Sequence, residues 1–414
     1  MTVSSLTAQR LTEGRANDQL LYFTSSSLTS DDRVLVFLSD RDSPIPKADD
    51  PRADVNLYAL DRPSSTVRRL TDNADGYLRS YVYFEGQPYR GLGLASPCLH
   101  VPSGDLYYLQ GREVRVVNAR SGAGRTLATL PDDQVTGFTH VSDDNARLCV
   151  PTIHESAFAD IGAIDATVQH LGLSSSLRIF DTATGAQAEE IAVARGWVTH
   201  VQFQPGGHDR ILFNHEWPAD CGIRRAWLWD GPARQIRRLR DAGVNPGGTA
   251  RRREDWVCHE VWGRDGRAIV YHGTYGGARG DPSFVGRVAP DGTARREIPF
   301  APGLRRYGHF TLGGDDSTLV SDGYAEYGPP AVPADDPEAR RLRRYGEWIS
   351  LLHVDWARGT HRWTPLCRHG SSWTSQDAHP HPVVNHAGTE VLFTSDRDGT
   401  RAIYGIPIPG PPTS

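Results

Sequence analysis

The chain has 414 residues with 45 basic and 50 acidic side chains, and its formal net charge of −5 offers no basic surface of the kind that holds nucleic acid. Its 42 glycines and 28 prolines are spread along the whole length, which is the turn density of a many-stranded protein, and no apolar run reaches the length of a membrane span. The five cysteines (Cys98, Cys149, Cys221, Cys258 and Cys367) are odd in number and scattered, so they do not read as a disulfide framework. The opening MTVSSLTAQRLTEGRANDQLLYF has no continuous apolar stretch to act as a secretory signal, and a cytoplasmic location is expected. Lys47 is the sole lysine, in a Pro/Asp-rich loop from Pro44 to Asp54, so a catalytic lysine is not expected.

Residues 1–19 are expected to be a flexible or peripheral segment. The apolar stretch Leu20–Thr24 follows, placed to pair with the last element of the chain. From there a unit recurs: a polar turn containing Asp, Gly or Pro, then a short apolar strand. It appears at 30–40 (SDDRVLVFLSD), 102–110, 142–152, 205–216, 264–273, 314–323 and 386–399 (HAGTEVLFTSDRDG). After a variable loop each is followed by a second strand, at 55–61, 113–122, 176–185, 225–231, 283–292, 349–355 and 401–406. Seven irregular units predict an all-β, seven-bladed β-propeller spanning residues 1–414 as one domain, because a blade that cannot bury both faces alone must pack radially on its neighbours. A sandwich, or two smaller β domains, is the alternative architecture. Asp335–Tyr345 (DDPEARRLRRY) is the one segment with the pattern of a helical insertion.

The histidines fall in register with these units. His200 precedes the turn of the fourth, His259 that of the fifth, His309 that of the sixth, and His379 and His381 that of the seventh. Each is therefore expected on an inner strand, where equivalent positions converge on the central channel. In CRHGSSWTSQDAHPHPVV, the Gln376 amide oxygen and the His379 and His381 imidazoles are a plausible donor set for a first-row divalent metal. On a strand, His379 and His381 share a face, and Pro380 and Pro382 suit one that begins at a rim. A pair of surface histidines beside prolines is the competing reading. No GxSxG nucleophile elbow, P-loop or dinucleotide fingerprint stands out.

The QxxHPHP segment, with RHGSSW ahead of it and VLFTSDRDG behind, resembles the C-terminal blade of oligogalacturonate lyases. FNHEWPADCGIRRAWLWD (213–230), CHEVWGRDGRAIVY (258–271), YGHF…LVSDG (307–323) and YFTSSSLTSDDRVLVFLSD (22–40) fit the same family. The resemblance implies a seven-bladed propeller that binds Mn2+ and cleaves short pectin fragments in the cytoplasm. It also implies His309, Gln376, His379 and His381 as metal ligands, His259 as Brønsted base, and Arg225 as the group that handles the substrate carboxylate. The chain departs from the family in a short Trp373-to-Gln376 connection, an insertion at Pro44–Asp54, and WPAD in place of a more glycine-rich turn.

The chemistry so implied is β-elimination from a 4-linked uronate: loss of the C5 proton, cleavage of the C4–O bond and an unsaturated product. A His/Gln ligand set carries no anionic donor, so the metal would keep its full positive charge for the substrate; such a set would also accept divalent ions other than Mn2+. His259 is expected to be a neutral imidazole near its ordinary pKa. His200, His215, His369 and Ser372 are candidate substrate contacts, and Trp217, Trp262 and Trp373 could stack on sugars or simply pack blades. The expected partner is a small anionic oligosaccharide, with no nucleic acid and no membrane; oligomeric state is left open. The competing functions are a lyase of this fold on a different uronate, and a non-catalytic propeller that binds a sugar or a protein.

Overall fold

Each recurring unit folds as the middle hairpin of an antiparallel sheet, and a further strand on either side completes a blade. The computed structural model describes residues 6–43, 55–73, 97–160, 164–194, 196–207, 209–216, 225–240, 255–275, 283–300, 308–322, 348–372 and 378–409. Among them are seven antiparallel sheets, six of four strands and one of five, and together they form a seven-bladed β-propeller.

Blade 1 is Asp18–Leu20, Val34–Ser39, Asn56–Asp61 and Thr66–Arg69; blade 2 is Cys98–His100, Asp105–Gln110, Glu113–Asn118 and Gly124–Thr129. Blade 3 begins with a split strand, Gln134–Thr136 and His140–Val141, both paired to Arg147–His154, and continues with Ser175–Asp181 and Gln187–Val193. Blade 4 is Trp197–Phe203, Arg210–Glu216, Trp227–Asp230 and Gln235–Arg238; blade 5 is Trp256–Trp262, Ile269–Thr274, Ser283–Val288 and Arg296–Pro299. Blade 6 is Phe310–Leu312, Thr318–Ser321, Trp348–Asp355 and Thr360–Arg368, and blade 7 is Val383–Val384, Glu390–Ser395 and Ala402–Pro407, with Gln9–Arg10 as its outermost strand.

Middle strands are apolar on both sides because both faces of a blade are covered. Val34–Ser39 is buried throughout, whereas the outer strand Thr66–Arg69 is exposed throughout. Between blades 1 and 2, Val36, Leu38 and Leu57 pack on Leu106, Tyr108 and Val117. Between blades 7 and 1, Leu392 and Ile403 pack on Leu35 and Phe37. Burial of this kind is worth about 25 cal/mol per Å2 of apolar surface, which makes the inter-blade contacts the main source of stability.

Ring closure differs from expectation. Leu20 belongs to the innermost strand of blade 1, and it is Gln9–Arg10 that pairs with Ala402–Pro407. Within the 1–19 segment, Gln9 and Arg10 thus form the outer edge of blade 7, with Leu11 N–H donating to the Ile403 carbonyl at 2.8 Å, and Asp18 and Gln19 already belong to the innermost strand of blade 1. The reason is order along the chain: the N-terminal strand must lie outside the last blade for the next strand to start blade 1 at the channel.

An unanticipated α-helix, Ile164–Leu171, lies between the second and third strands of blade 3 and buries Val168 in the cluster that holds Trp197. The predicted helix at Asp335–Tyr345 and the Pro44–Asp54 loop lie outside the described residues. No helix among the described residues is long and apolar enough to cross a membrane.

Candidate metal centre

His309, His379 and His381 bring one ring nitrogen each to within 4.8 Å of one another, and all three are buried. Among the described residues they are the one cluster of three or more His, Cys, Asp or Glu side chains gathered in this way. His309 comes from the approach to the inner strand of blade 6, and the other two from the approach to that of blade 7.

The pair does not converge by strand alternation, as the sequence suggested. Residues 378–382 are irregular, the strand starts only at Val383, and His381 has φ 45°, in the left-handed region. The segment is held from outside: Thr394 N–H donates to the Pro380 carbonyl at 2.8 Å, and the Thr311 hydroxyl to the Pro382 carbonyl at 2.9 Å. Pro380 and Pro382 offer no N–H for a ladder, so carbonyl acceptance is the natural way to anchor them.

Asp322, wholly buried just after strand Thr318–Ser321, organises the cluster. Its carboxylate accepts from His309 Nδ1 at 3.0 Å and from the His309 amide at 2.7 Å, and lies 3.3 Å from the His381 amide. With Nδ1 engaged, His309 presents Nε2 to a ligand, which is how a carboxylate orients a metal-binding imidazole. Burial, with a contribution from His309, pushes His379 down to about 2, and burial pushes His381 down to about 3. Both are therefore neutral donors at any ordinary pH. Three imidazoles with one carboxylate behind them fit a first-row divalent cation. Gln376, the fourth predicted ligand, lies outside the described residues, as do Trp217 and Trp373.

His259 stands next to this cluster, its ring centroid 4.5 Å from that of His309. His259 and His200 lie on inner strands as expected, but both occupy β-bulges. Register shifts between Cys258 and Val261 on blade 5, and between Val198 and Val201 on blade 4. A bulge re-aims side chains that alternation would send elsewhere, and His259 has φ 51° as a result. The sequence suggested an ordinary imidazole pKa for His259. Instead it is held well below that value, first by burial and then by neighbouring His309, His272 and Arg225. His200 is lowered by burial, then by Arg225 and His309. The Arg225 guanidinium is thus close enough to act on both histidines; Arg225 is half-buried, at φ 22°, just ahead of strand Trp227–Asp230.

Tyr22 and Phe23, which the sequence did not single out as site residues, line the same space. Tyr22 lies 5.4 Å from the His381 ring and 4.9 Å from that of His200, and Phe23 lies 5.1 Å from that of His259. Phe138 completes the wall 4.9 Å from His200. Its amide donates to the Thr199 carbonyl at 2.7 Å, and the adjoining Gly137 has no room for a Cβ, which would meet that oxygen at 2.6 Å.

The remaining candidates sit further out. His215 is buried, with its ring against Phe213 and Trp227 and Nε2 3.4 Å from the Ala194 carbonyl. His369 is buried and accepts from the Ser371 amide at 2.9 Å, while exposed Ser372 donates its hydroxyl to Asp396 at 2.5 Å; both belong to the connection leading into the metal segment. Trp262 packs between blades, donating to the Gln202 carbonyl at 3.1 Å. Asp322 and His272 were missed in the sequence. The signal for Asp322 was there in LVSDG, one hairpin away from His309, because a ligating histidine needs an acceptor for its other nitrogen.

The fold and site together define a β-propeller with a metal-type histidine centre. A model of the oligogalacturonate lyase family matches residues 99–411, and the chain belongs to that family of lyase enzymes. It is 24% identical over 314 residues to an oligogalacturonide lyase of Pectobacterium atrosepticum, covering 73% of this chain and 74% of that protein. It is 26% identical over 235 residues to an oligogalacturonate lyase of Dickeya dadantii, covering 55% of this chain and 54% of the relative. Two solved structures share the fold. One is an oligogalacturonate lyase in complex with manganese, with TM-score 0.73, 21% identity, and coverage of 99% of this chain and 95% of the other. The second, an oligogalacturonate lyase from Vibrio parahaemolyticus, has TM-score 0.72, 19% identity and coverage of 98% of both chains.

Proposed function

We propose that this protein cleaves short oligogalacturonides by metal-dependent β-elimination, as a cytoplasmic step in pectin breakdown. The observation that carries the reading is the placement of a buried, neutral imidazole, His259, 4.5 Å from a metal-type cluster of three further imidazoles. A neutral imidazole carries a lone pair free to accept a proton, and a cation site beside it would stabilise the charge that builds on the neighbouring carboxylate.

In this reading His309, His379 and His381, with Gln376, would hold Mn2+ or another divalent ion. When bound, such an ion supplies Lewis-acid stabilisation of the charge that builds on the substrate carboxylate. Arg225 pairs with the same carboxylate and orients the sugar. His259 takes the C5 proton. The C5–H electron pair becomes the C4=C5 double bond, the C4–O bond breaks, and the departing oxygen leaves with a proton from solvent or from a side chain. Tyr22, Phe23 and Phe138 make one wall of the site apolar, which strengthens every charge interaction within it. His200 is proposed as a sugar contact within the site, and His369 and Ser372 as contacts on the adjoining connection. The burial of His215 favours packing over its proposed contact role.

The test is ultraviolet absorbance during incubation with di- and trigalacturonate, on protein stripped with chelator and then resupplied with Mn2+. A rise that needs the metal supports the reading. A flat trace in both states, on folded protein, removes oligogalacturonate as substrate; a rise with another uronate instead would reassign it. A binding propeller without activity would keep its ligand after chelation.

A further inference from the structure

One nitrogen of His259 faces two partners. Its Nδ1 lies 2.8 Å from His272 Nε2 and 3.0 Å from the Gly308 carbonyl oxygen. A carbonyl only accepts, so the Gly308 contact is a hydrogen bond only when Nδ1 carries the proton. His272 Nε2 must then be the unprotonated nitrogen of its own ring and share that proton as a second acceptor. The opposite arrangement, with His272 donating, would set the His259 lone pair against the carbonyl oxygen at 3.0 Å.

His272 is well placed for this. It lies on Ile269–Thr274, paired directly with Cys258, one residue before His259. Its ring is buried and packs edge-on against Phe310 at 5.6 Å. His259 itself sits in a bulge with left-handed backbone, so its ring direction is not set by strand geometry and needs an outside support.

We propose that His272 is a positioning residue: with the Gly308 carbonyl it holds His259 as the Nδ1–H tautomer and turns the Nε2 lone pair toward the substrate. The inference rests on the reading of His259 as the base, and it extends that reading to the residue paired across the strand from its neighbour Cys258.

Two measurements decide it. The first uses metal-free protein labelled with 15N-histidine, in which two-bond correlation spectra report the protonated nitrogen of each ring; His259 and His272 are assigned by comparison with His259→Asn and His272→Gln. The expected pattern is a protonated Nδ1 and bare Nε2 on His259, and a bare Nε2 on His272. The reverse on either ring overturns the proposal, and this readout on the wild-type chain survives any folding defect in a variant.

The second compares His272→Leu with His272→Gln, whose amide oxygen can accept in place of Nε2. Leucine should lower kcat on trigalacturonate by roughly 10²-fold, the order expected when a reacting group is misplaced. KM and Mn2+ affinity should stay within about twofold of wild type, since neither is assigned to this residue. Glutamine should recover most of the loss. Wild-type turnover in the leucine variant, or equal loss in both, overturns the proposal. Full turnover in His259→Ala would instead defeat the base reading itself, so the two failures are told apart.

Discussion

A single carboxylate, that of Asp322, accepts from His309 Nδ1 at 3.0 Å and reaches the His381 amide at 3.3 Å. Clustered histidines from blades 6 and 7 therefore share one anchor. Removing it frees the ring of His309 and releases the strained backbone of His381 together, so its effect should exceed that of a lone hydrogen bond.

Asp322→Asn should weaken Mn2+ binding by about 10–100-fold, the usual cost of losing the partner that orients a metal-binding histidine. Isothermal titration calorimetry on chelator-stripped protein measures it. An unchanged Kd would mean that His309 is oriented by its backbone alone.

Arg225→Lys should retain the positive charge but lose the planar, two-pronged contact with a carboxylate. We expect kcat/KM on trigalacturonate to fall by about 10²-fold, comparable to loss of a donor that stabilises developing charge. Metal content should be unaffected. If lysine restores full activity, Arg225 serves only as a local charge.

Stability should fall as the medium is acidified below about pH 6.5. His140 lies between blades 3 and 4, where its Nδ1 accepts from the Phe203 amide at 3.2 Å, and burial pushes it down to about 4. In that window the unfolded chain binds a proton that the folded imidazole refuses, so the contribution is whole above pH 6.5 and is lost as pH drops toward 4. Thermal melts of metal-free wild type and His140→Gln across pH 4.5–7.5 test it, since the variant should show a shallower decline.

Deleting residues 1–11 should destabilise the ring without altering its metal centre. The segment brings the pairing of Gln9 and Arg10 with Gly405 and Tyr404, plus two further backbone bonds, Leu6 to Leu366 and Leu11 to Ile403. At about 1 kcal/mol for each hydrogen bond, the loss should be on the order of 4 kcal/mol, read from urea melts. A melt superimposable on wild type would show that blade 7 closes without its outer strand.

The sequence by itself determined the blade count and the middle hairpin of every blade. Apolar strands behind polar turns are local patterns, and a unit that cannot bury its own faces has few ways to pack, so seven of them sufficed for the architecture. It also singled out the histidines, because register relative to each turn is visible along the chain. Tertiary structure decided how they meet. The bulges that carry His200 and His259, the left-handed turn at His381 and the Asp322 anchor depend on partners on other strands, the Asp322 carboxylate lying 59 residues before the His381 amide it reaches, and alternation in a single strand carries no trace of them. The closing strand belongs to the same class. Leu20–Thr24 is the more apolar stretch, yet Gln9–Arg10 makes the pairing, because the outer edge of a blade faces water and is filled by connectivity rather than by hydrophobicity.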